Sequence, residues 1–331
     1  MQRFFVCAGV GAVFGGAQAQ SIEAVSKYVG VDRAVLVEVG FEGNAGRVLL
    51  IDPSNEVVAA AAIDPGEVDL AESFPLLWDR WDDDAVLGSV IEEEPEVLYA
   101  QLEVDGERAG SALVLQPLLT PASAQNTPGG VEFSPRVYGR VIYSGLRIYT
   151  ETHVIVETSE GTLEFQMRPD EAPNTVYSFL ELSGNGYYDG VIFHRILNSG
   201  QSGRFVIQGG DPTGTGTGGP GFFIDLEDSE LPHDFGVISM ARSGDPDSNG
   251  SQFFVCLSRP GTSFLDGRYT AFGRAVGGAE VINAIAETPV AADGSGRPDD
   301  APMITSTRLI PAPSRGSAPA PVTNPTDAGE E

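Results

Sequence analysis

Between residues 30 and 120, apolar and polar positions alternate in short runs: 34–41, 47–51, 56–63, 97–104 and 111–119. Gly-Asn at 43–44, Asp-Pro-Ser-Asn at 52–55, Asp-Pro-Gly at 64–66 and Asp-Gly at 105–106 break them. Frequent short strands with such punctuation predict a small all-β, sandwich-like domain. Further on, 153–157 and 163–167 flank Glu160-Gly161 and predict a hairpin. Pro173 opens a helix whose Val176, Phe179, Leu180 and Leu182 share a face, ending near Gly184. Strands are expected at 190–196, 204–208, 236–242, 251–257, 269–276 and 303–310, and a second helix at 278–287 groups Val281, Ile282 and Ile285. Eight strands with two helices far apart in sequence predict an antiparallel barrel capped at its ends. The fold class is therefore mainly β.

The stretch PLLTPASAQNTPGG at 117–130 reads as a linker, followed by Arg136, Arg140 and Arg147 among Tyr and Val. The expected organisation is a leader at 1–19, an acidic β-rich domain at 20–120, a linker or arm at 121–145, a barrel at 146–310 and a disordered tail at 311–331. The leader has one base, Arg3, a short apolar run and the small-residue ending Ala17-Gln18-Ala19. This is the pattern of a secretory signal peptide cut after Ala19, and it predicts an exported protein, periplasmic or extracellular. The apolar run is too short for a membrane-spanning helix, so no membrane insertion is expected. Cys7 leaves with the leader, and Cys256 then has no disulfide partner.

Charge narrows the function further. Acids outnumber bases 47 to 19, a net charge of −28, which repels phosphate backbones and argues against nucleic-acid binding. Two cysteines and three histidines leave no zinc finger or iron–sulfur framework, and no metal or cofactor is expected. The acidic stretch with Trp78, Trp81, Asp82, Asp83 and Asp84 reads as tryptophans anchoring a solvated loop.

Strand geometry puts residues two apart on one face, so Phe193 and Arg195 are expected opposite His194. By the same rule Val206 pairs with Gln208, and Gln252 with Phe254, leaving Ile207 and Phe253 for the core. VIFHRI at 191–196, RFVIQGGDPTGTGTGGPG at 204–221, GVISMARSGDP at 236–246, NGSQFFV at 249–255 and FLDGRYTAFG at 264–273 resemble the cyclophilin-type peptidyl-prolyl cis-trans isomerases. The resemblance implies an eight-stranded barrel with two capping helices and a proline-binding groove on its outer face. It implies a catalytic Arg195 held by Gln208, a ring pocket of Phe205, Val206, Phe254 and Leu265, and a groove for the preceding residue lined by Gly216, Ala241, Arg242 and Gln252. Phe264, Tyr269, Val206 and Arg242 stand where the family's most familiar members carry Trp, His, Met and Asn. Nine residues, 196–204, separate Arg195 from Phe205 where the family usually has about four.

Other chemistries have weaker support. His194 beside Arg195 suits a general base, but alternation makes it a core histidine bonded to backbone. The run Gly214 to Gly219 lacks the Gly-Lys-Ser/Thr of a phosphate loop. Asp245 to Gly250 matches half of a calcium loop, but its twelfth position is Cys256. No Gly-x-Ser-x-Gly elbow joins His194 or His233 to a serine as a hydrolase. Two function classes remain: an isomerase acting on proline-containing peptides and folding proteins, or a non-catalytic module docking proline segments, with the N-terminal domain adding a protein partner. Retention of Arg195 favours the enzyme.

Overall fold

The computed structural model describes residues 20–78, 95–136, 141–198 and 204–325. The leader at 1–19, the acids following Trp81, residues 199–203 of the 196–204 insertion and the last six positions lie outside the described residues.

The N-terminal part is built from two facing sheets. Strands Ser21–Ala24, Leu36–Gly40 and Gly66–Asp69 form the smaller one, with Leu36–Gly40 in the middle. The larger has six antiparallel strands in the order Tyr28–Gly30, Tyr143–Thr150, Glu107–Leu119, Leu98–Val104, Gly46–Ile51 and Val57–Ile63. Side chains alternate between faces. Val37 and Val39 therefore meet Val48, Leu50, Leu102 and Leu113 in a shared core, while Leu49, Ile51, Tyr99 and Val114 gather on the opposite face. Ser21–Ala24, Tyr28–Gly30 and Gly66–Asp69 are too short to show a period of two in the sequence.

Two expectations need correction here. The linker or arm at 121–145 is instead a hairpin, Ala122–Thr127 with Gly130–Pro135, followed by the start of strand Tyr143–Thr150 in the six-stranded sheet. Its small polar residues carry no apolar alternation, so composition alone reads as linker. Glu151 alone then separates Tyr143–Thr150 from the first barrel strand, Thr152–Thr158. Residues 311–325, expected to be disordered, run along both halves. Arg315 bonds Glu151 (3.0 Å) and lies over the Tyr99 ring, and its amide donates to Gln101 Oε1 (3.0 Å). The Val322 amide donates to Ala275 O (3.0 Å). These contacts are tertiary and leave no local signature.

The barrel sheet runs Arg195–Leu197, Val206–Gly209, Phe253–Cys256, Val237–Met240, Ala271–Gly277, Gly161–Met167, Thr152–Thr158 and Ile304–Pro311, all antiparallel. Its first and last strands are tied where Ile192 bridges Met303 and the Phe193 amide donates to Pro302 O (2.8 Å). The interior holds Val154, Phe165, Ile207, Ile238, Phe253 and Phe272. Helix Pro173–Gly184 adds Val176 and Phe179, and helix Ala279–Ala286 adds Val281, Ile282 and Ile285. Pro173 suits a first helical position, but Ala172 before it has no capping side chain. The Glu227 carboxylate supplies the cap from afar, accepting from the amides of Asn174 (2.9 Å) and Thr175 (2.7 Å). Among the described residues no helix is long and apolar enough to cross a membrane.

Candidate active site

The outer face of the barrel carries a second apolar cluster, separate from the interior. Val206, Val237, Phe254 and Ala271 alternate with the interior residues Ile207, Ile238, Phe253 and Phe272, so they stand on the opposite side of the same strands. Leu231, Cys256 and Leu265 complete the cluster, and Phe205, Ala241 and Tyr269 pack against it half-buried. The short turn Ser263–Leu265 splits its apolar pair. Leu265 is 4% exposed in the cluster, whereas Phe264 is 56% exposed and stacks on Phe205, with ring centroids 5.6 Å apart. Phe254 meets Tyr269 edge-on at 5.9 Å.

A polar file runs beside this wall. Arg195 faces Gln208 in antiparallel register, and Gln208 faces Phe254. Arg195 Nη1 donates to Gln208 Oε1 (3.5 Å), Gln208 Nε2 donates to Gln252 Oε1 (3.0 Å), and Gln252 Nε2 donates to Gly218 O (2.9 Å). Arg195 is exposed, so its remaining N–H groups are available to a ligand. Arg242 lies over the Tyr269 ring, 4.7 Å from its centroid, and donates to Arg268 O. The Ala241 amide donates to Gln252 O (2.9 Å).

Gly216 belongs to a loop organised by one carboxylate that the sequence did not single out. Asp211 has no exposed surface and accepts from the amides of Thr213, Thr215, Gly216 and Gly218 at 2.6 to 3.1 Å. Burial pushes its pKa up, but these amides outweigh burial and hold the carboxyl well below the ordinary carboxylate range. Gly216 sits at φ +84°, where an L side chain is strained. The loop thus folds around an internal anion, which takes up the amides that a phosphate loop would offer its ligand.

The alternation rule fails at one place. Phe193 lies in the interior, 6.3 Å edge-on to Phe253, while Arg195 points outward. The strand begins only at Arg195, and residues 193–194 belong to the barrel closure, so a period of two does not extend through them. His194 is buried, as expected, but neither ring nitrogen has a hydrogen-bond partner, so the expected backbone bond is absent. Burial, helped by the Arg195 charge and opposed by Asp211, lowers its pKa.

Behind the wall, His233 stacks on Phe254 and joins Asp266 (Nδ1, 3.0 Å) to Ser239 (Nε2, 2.9 Å). The sequence excluded a hydrolase, yet the three residues do assemble in hydrolase order. Ser239 is fully buried and its hydroxyl donates to Thr270 O, so no substrate reaches it. The arrangement fixes Asp266, next to Leu265, and so braces the wall. Asp245 to Gly250 forms a turn in which Asp247 accepts from backbone amides, and no cluster of metal-ligating side chains occurs among the described residues. Burial pushes the Cys256 thiol up, which suits an inert core residue.

The sequence profile of the "cyclophilin type peptidyl-prolyl cis-trans isomerase/CLD" family matches residues 153–309. A peptidyl-prolyl cis-trans isomerase of Arabidopsis thaliana is 44% identical over 162 residues, 47% of this chain and 93% of that protein. Another, from Schizosaccharomyces pombe, is 42% identical over 151 residues, covering 44% and 91%. A crystal structure of a cyclophilin type peptidyl-prolyl cis-trans isomerase from Cryptosporidium parvum, solved in the presence of the dipeptide Ala-Pro, aligns with TM-score 0.43 and 37% identity over 48% of this chain and 98% of that one.

Proposed function

Because the chain belongs to the cyclophilin-type peptidyl-prolyl cis-trans isomerases, we propose that it speeds Xaa–Pro rotation with Arg195 as the catalytic group and the outer apolar cluster as the ring pocket. The amide C–N bond is partly double, and rotation about it costs about 18–20 kcal/mol. A hundred-thousand-fold acceleration requires about 7 kcal/mol of stabilisation for the twisted state over both planar forms. No covalent bond breaks, so no nucleophile takes part.

Twisting frees the prolyl nitrogen lone pair, which can then accept a hydrogen bond. Arg195 donates to it, an interaction much weaker in either planar form. Gln208 orients the guanidinium and contacts the substrate carbonyl. Phe205, Val206, Phe254 and Leu265 hold the pyrrolidine ring, with Phe264 and Tyr269 at its margins. Gly216, Ala241, Arg242 and Gln252 line the track for the preceding residue. The observation that carries this reading is the file Arg195–Gln208–Gln252 running beside the cluster of Val206, Phe254 and Leu265.

The substrates on this reading are proline-containing peptides and folding proteins, in an exported, periplasmic or extracellular setting after cleavage behind Ala19. The N-terminal sandwich is the part free to contact a further protein. The test is cis-to-trans isomerisation of a proline tetrapeptide by the whole protein and by Arg195→Ala. Wild type well above background with Arg195→Ala lowered by roughly 100-fold supports the reading. Equal, background rates for both leave only the proline-binding module.

A further inference from the structure

The hairpin of Ala122–Thr127 and Gly130–Pro135 pairs with no other strand among the described residues. A lone hairpin is at best marginally stable in water, so its anchors lie elsewhere. They lie on the barrel. The Ala124 amide donates to Asp247 Oδ2 (3.1 Å), and Asn126 Nδ2 donates to Gly244 O (2.9 Å). Arg136, just past the second strand, donates through Nη2 to Asp247 (2.8 Å) and through Nη2 and Nε to Asp225 (2.5 and 3.1 Å). Asp247 also accepts from the Leu226 amide (3.1 Å), and its side chain is 12% exposed. One carboxylate therefore joins the hairpin, the segment around 225–226 and the loop 243–249.

That loop stands on the groove. It leaves the barrel at Arg242, whose guanidinium covers Tyr269, and rejoins it ahead of Gln252, whose carbonyl accepts from the Ala241 amide. Its two feet are the residues assigned above to the site for the amino acid preceding proline. Asp225, Asp245 and Asp247 gather there in a chain of net charge −28, and Arg136 is the cation that bridges two of them. Without it the two carboxylates lose their bridge and repel one another, and the Leu226 amide is left as the tie between the loop and segment 225–226.

We propose that the hairpin is a positioning element of the isomerase groove, in which Arg136 and Asn126 clamp the 243–249 loop and so set which residue is accepted before proline. The inference rests on the isomerase reading of Arg195 and its neighbours. It gives the N-terminal part of the chain a role in substrate choice without contact to the reacting bond.

The test uses the full chain and tetrapeptides Ala-Xaa-Pro-Phe with Xaa as Ala, Leu, Glu or Lys. Two single variants are compared with wild type: Arg136→Gln, which removes the bridging cation, and Asn126→Asp, which keeps the shape but replaces the donor to Gly244. The expected result is a change of at least about threefold in the ratios of kcat/KM among the four peptides, carried by KM, with kcat on the best peptide nearly unchanged. Arg136→Lys should restore part of the wild-type ratios. Unchanged ratios in folded Asn126→Asp, or in folded Arg136→Gln, overturn the proposal while leaving the active-site reading intact. A wild-type protein inactive on all four peptides overturns both.

Discussion

Arg195 and Gln208 stand directly opposite one another in antiparallel register, with side chains meeting at 3.5 Å. That contact is at the long end of hydrogen bonding, so it orients the guanidinium without consuming it. Arg195→Ala should lower kcat/KM by roughly 100-fold, mainly through kcat, because the lost donor matters most in the twisted state. Its exposed position predicts an unchanged thermal midpoint, readable by circular dichroism.

Gln208 acts partly through Arg195, so its removal should cost less. Gln208→Ala is expected to lower kcat/KM by about 10-fold. In the double variant the two losses should fall short of additive. Full additivity in a double-mutant cycle would mean that Gln208 contributes independently of the arginine.

Asp211→Asn replaces a buried acceptor of four backbone amides with a group that presents its own N–H groups to them. A stability loss of about 2 kcal/mol is expected in denaturant titration. KM should rise more than kcat falls, since Gly216 and the Gly218 carbonyl partner of Gln252 lose their support. A change in kcat alone would place the loop's role elsewhere.

Catalysis and stability should separate with pH. A guanidinium does not titrate in this range, so kcat/KM should be flat from about pH 6 to 9, whereas an inflection on the acid side of about 6.5 would implicate His194, whose pKa burial lowers. Stability behaves otherwise, because burial lowers the folded-state pKa of both His194 and His233. The unfolded chain then binds more protons, so stability is complete above about pH 6.5 and falls as pH drops through that value. Asp266 contributes in a lower window: burial opposes it, but Arg259 and His233 hold its pKa at about 2, and its stabilisation is lost only as pH falls below the ordinary carboxylate range. Thermal midpoints measured against pH should show the histidine decline first.

Removing everything after Pro311 deletes Arg315, with its bond to Glu151 and its place over Tyr99, and the Val322 contact with the barrel. A stability loss of about 2–3 kcal/mol is expected. Peptide turnover should be unchanged, because none of the tail's described contacts touches Arg195, Gln208 or the ring pocket. A fall in turnover would tie the tail to the groove.

The barrel was legible because its strands carry both a period of two and recognisable motifs. Val206 and Phe254 could be placed outward, and Ile207 and Phe253 inward, from parity alone. Parity misled at Phe193, where the chain closes the barrel instead of extending a strand. What escaped the sequence is held by single carboxylates: Glu227 caps a helix more than fifty residues earlier and Asp247 holds a hairpin that reads as linker, while Asp211 gathers the loop that follows it. Each is a single carboxylate in an acid-rich chain, and nothing in its neighbours marks it.

The run of chain from Pro311 to Gly316 is made after every strand it packs against, yet it completes the flank of a sheet made much earlier. Gln101 and Tyr99 wait for Arg315, which is translated 214 positions after Gln101. Until Arg315 has been made the nascent sandwich keeps that flank wet, and a stop codon just before it would leave a finished barrel joined to an unfinished neighbour.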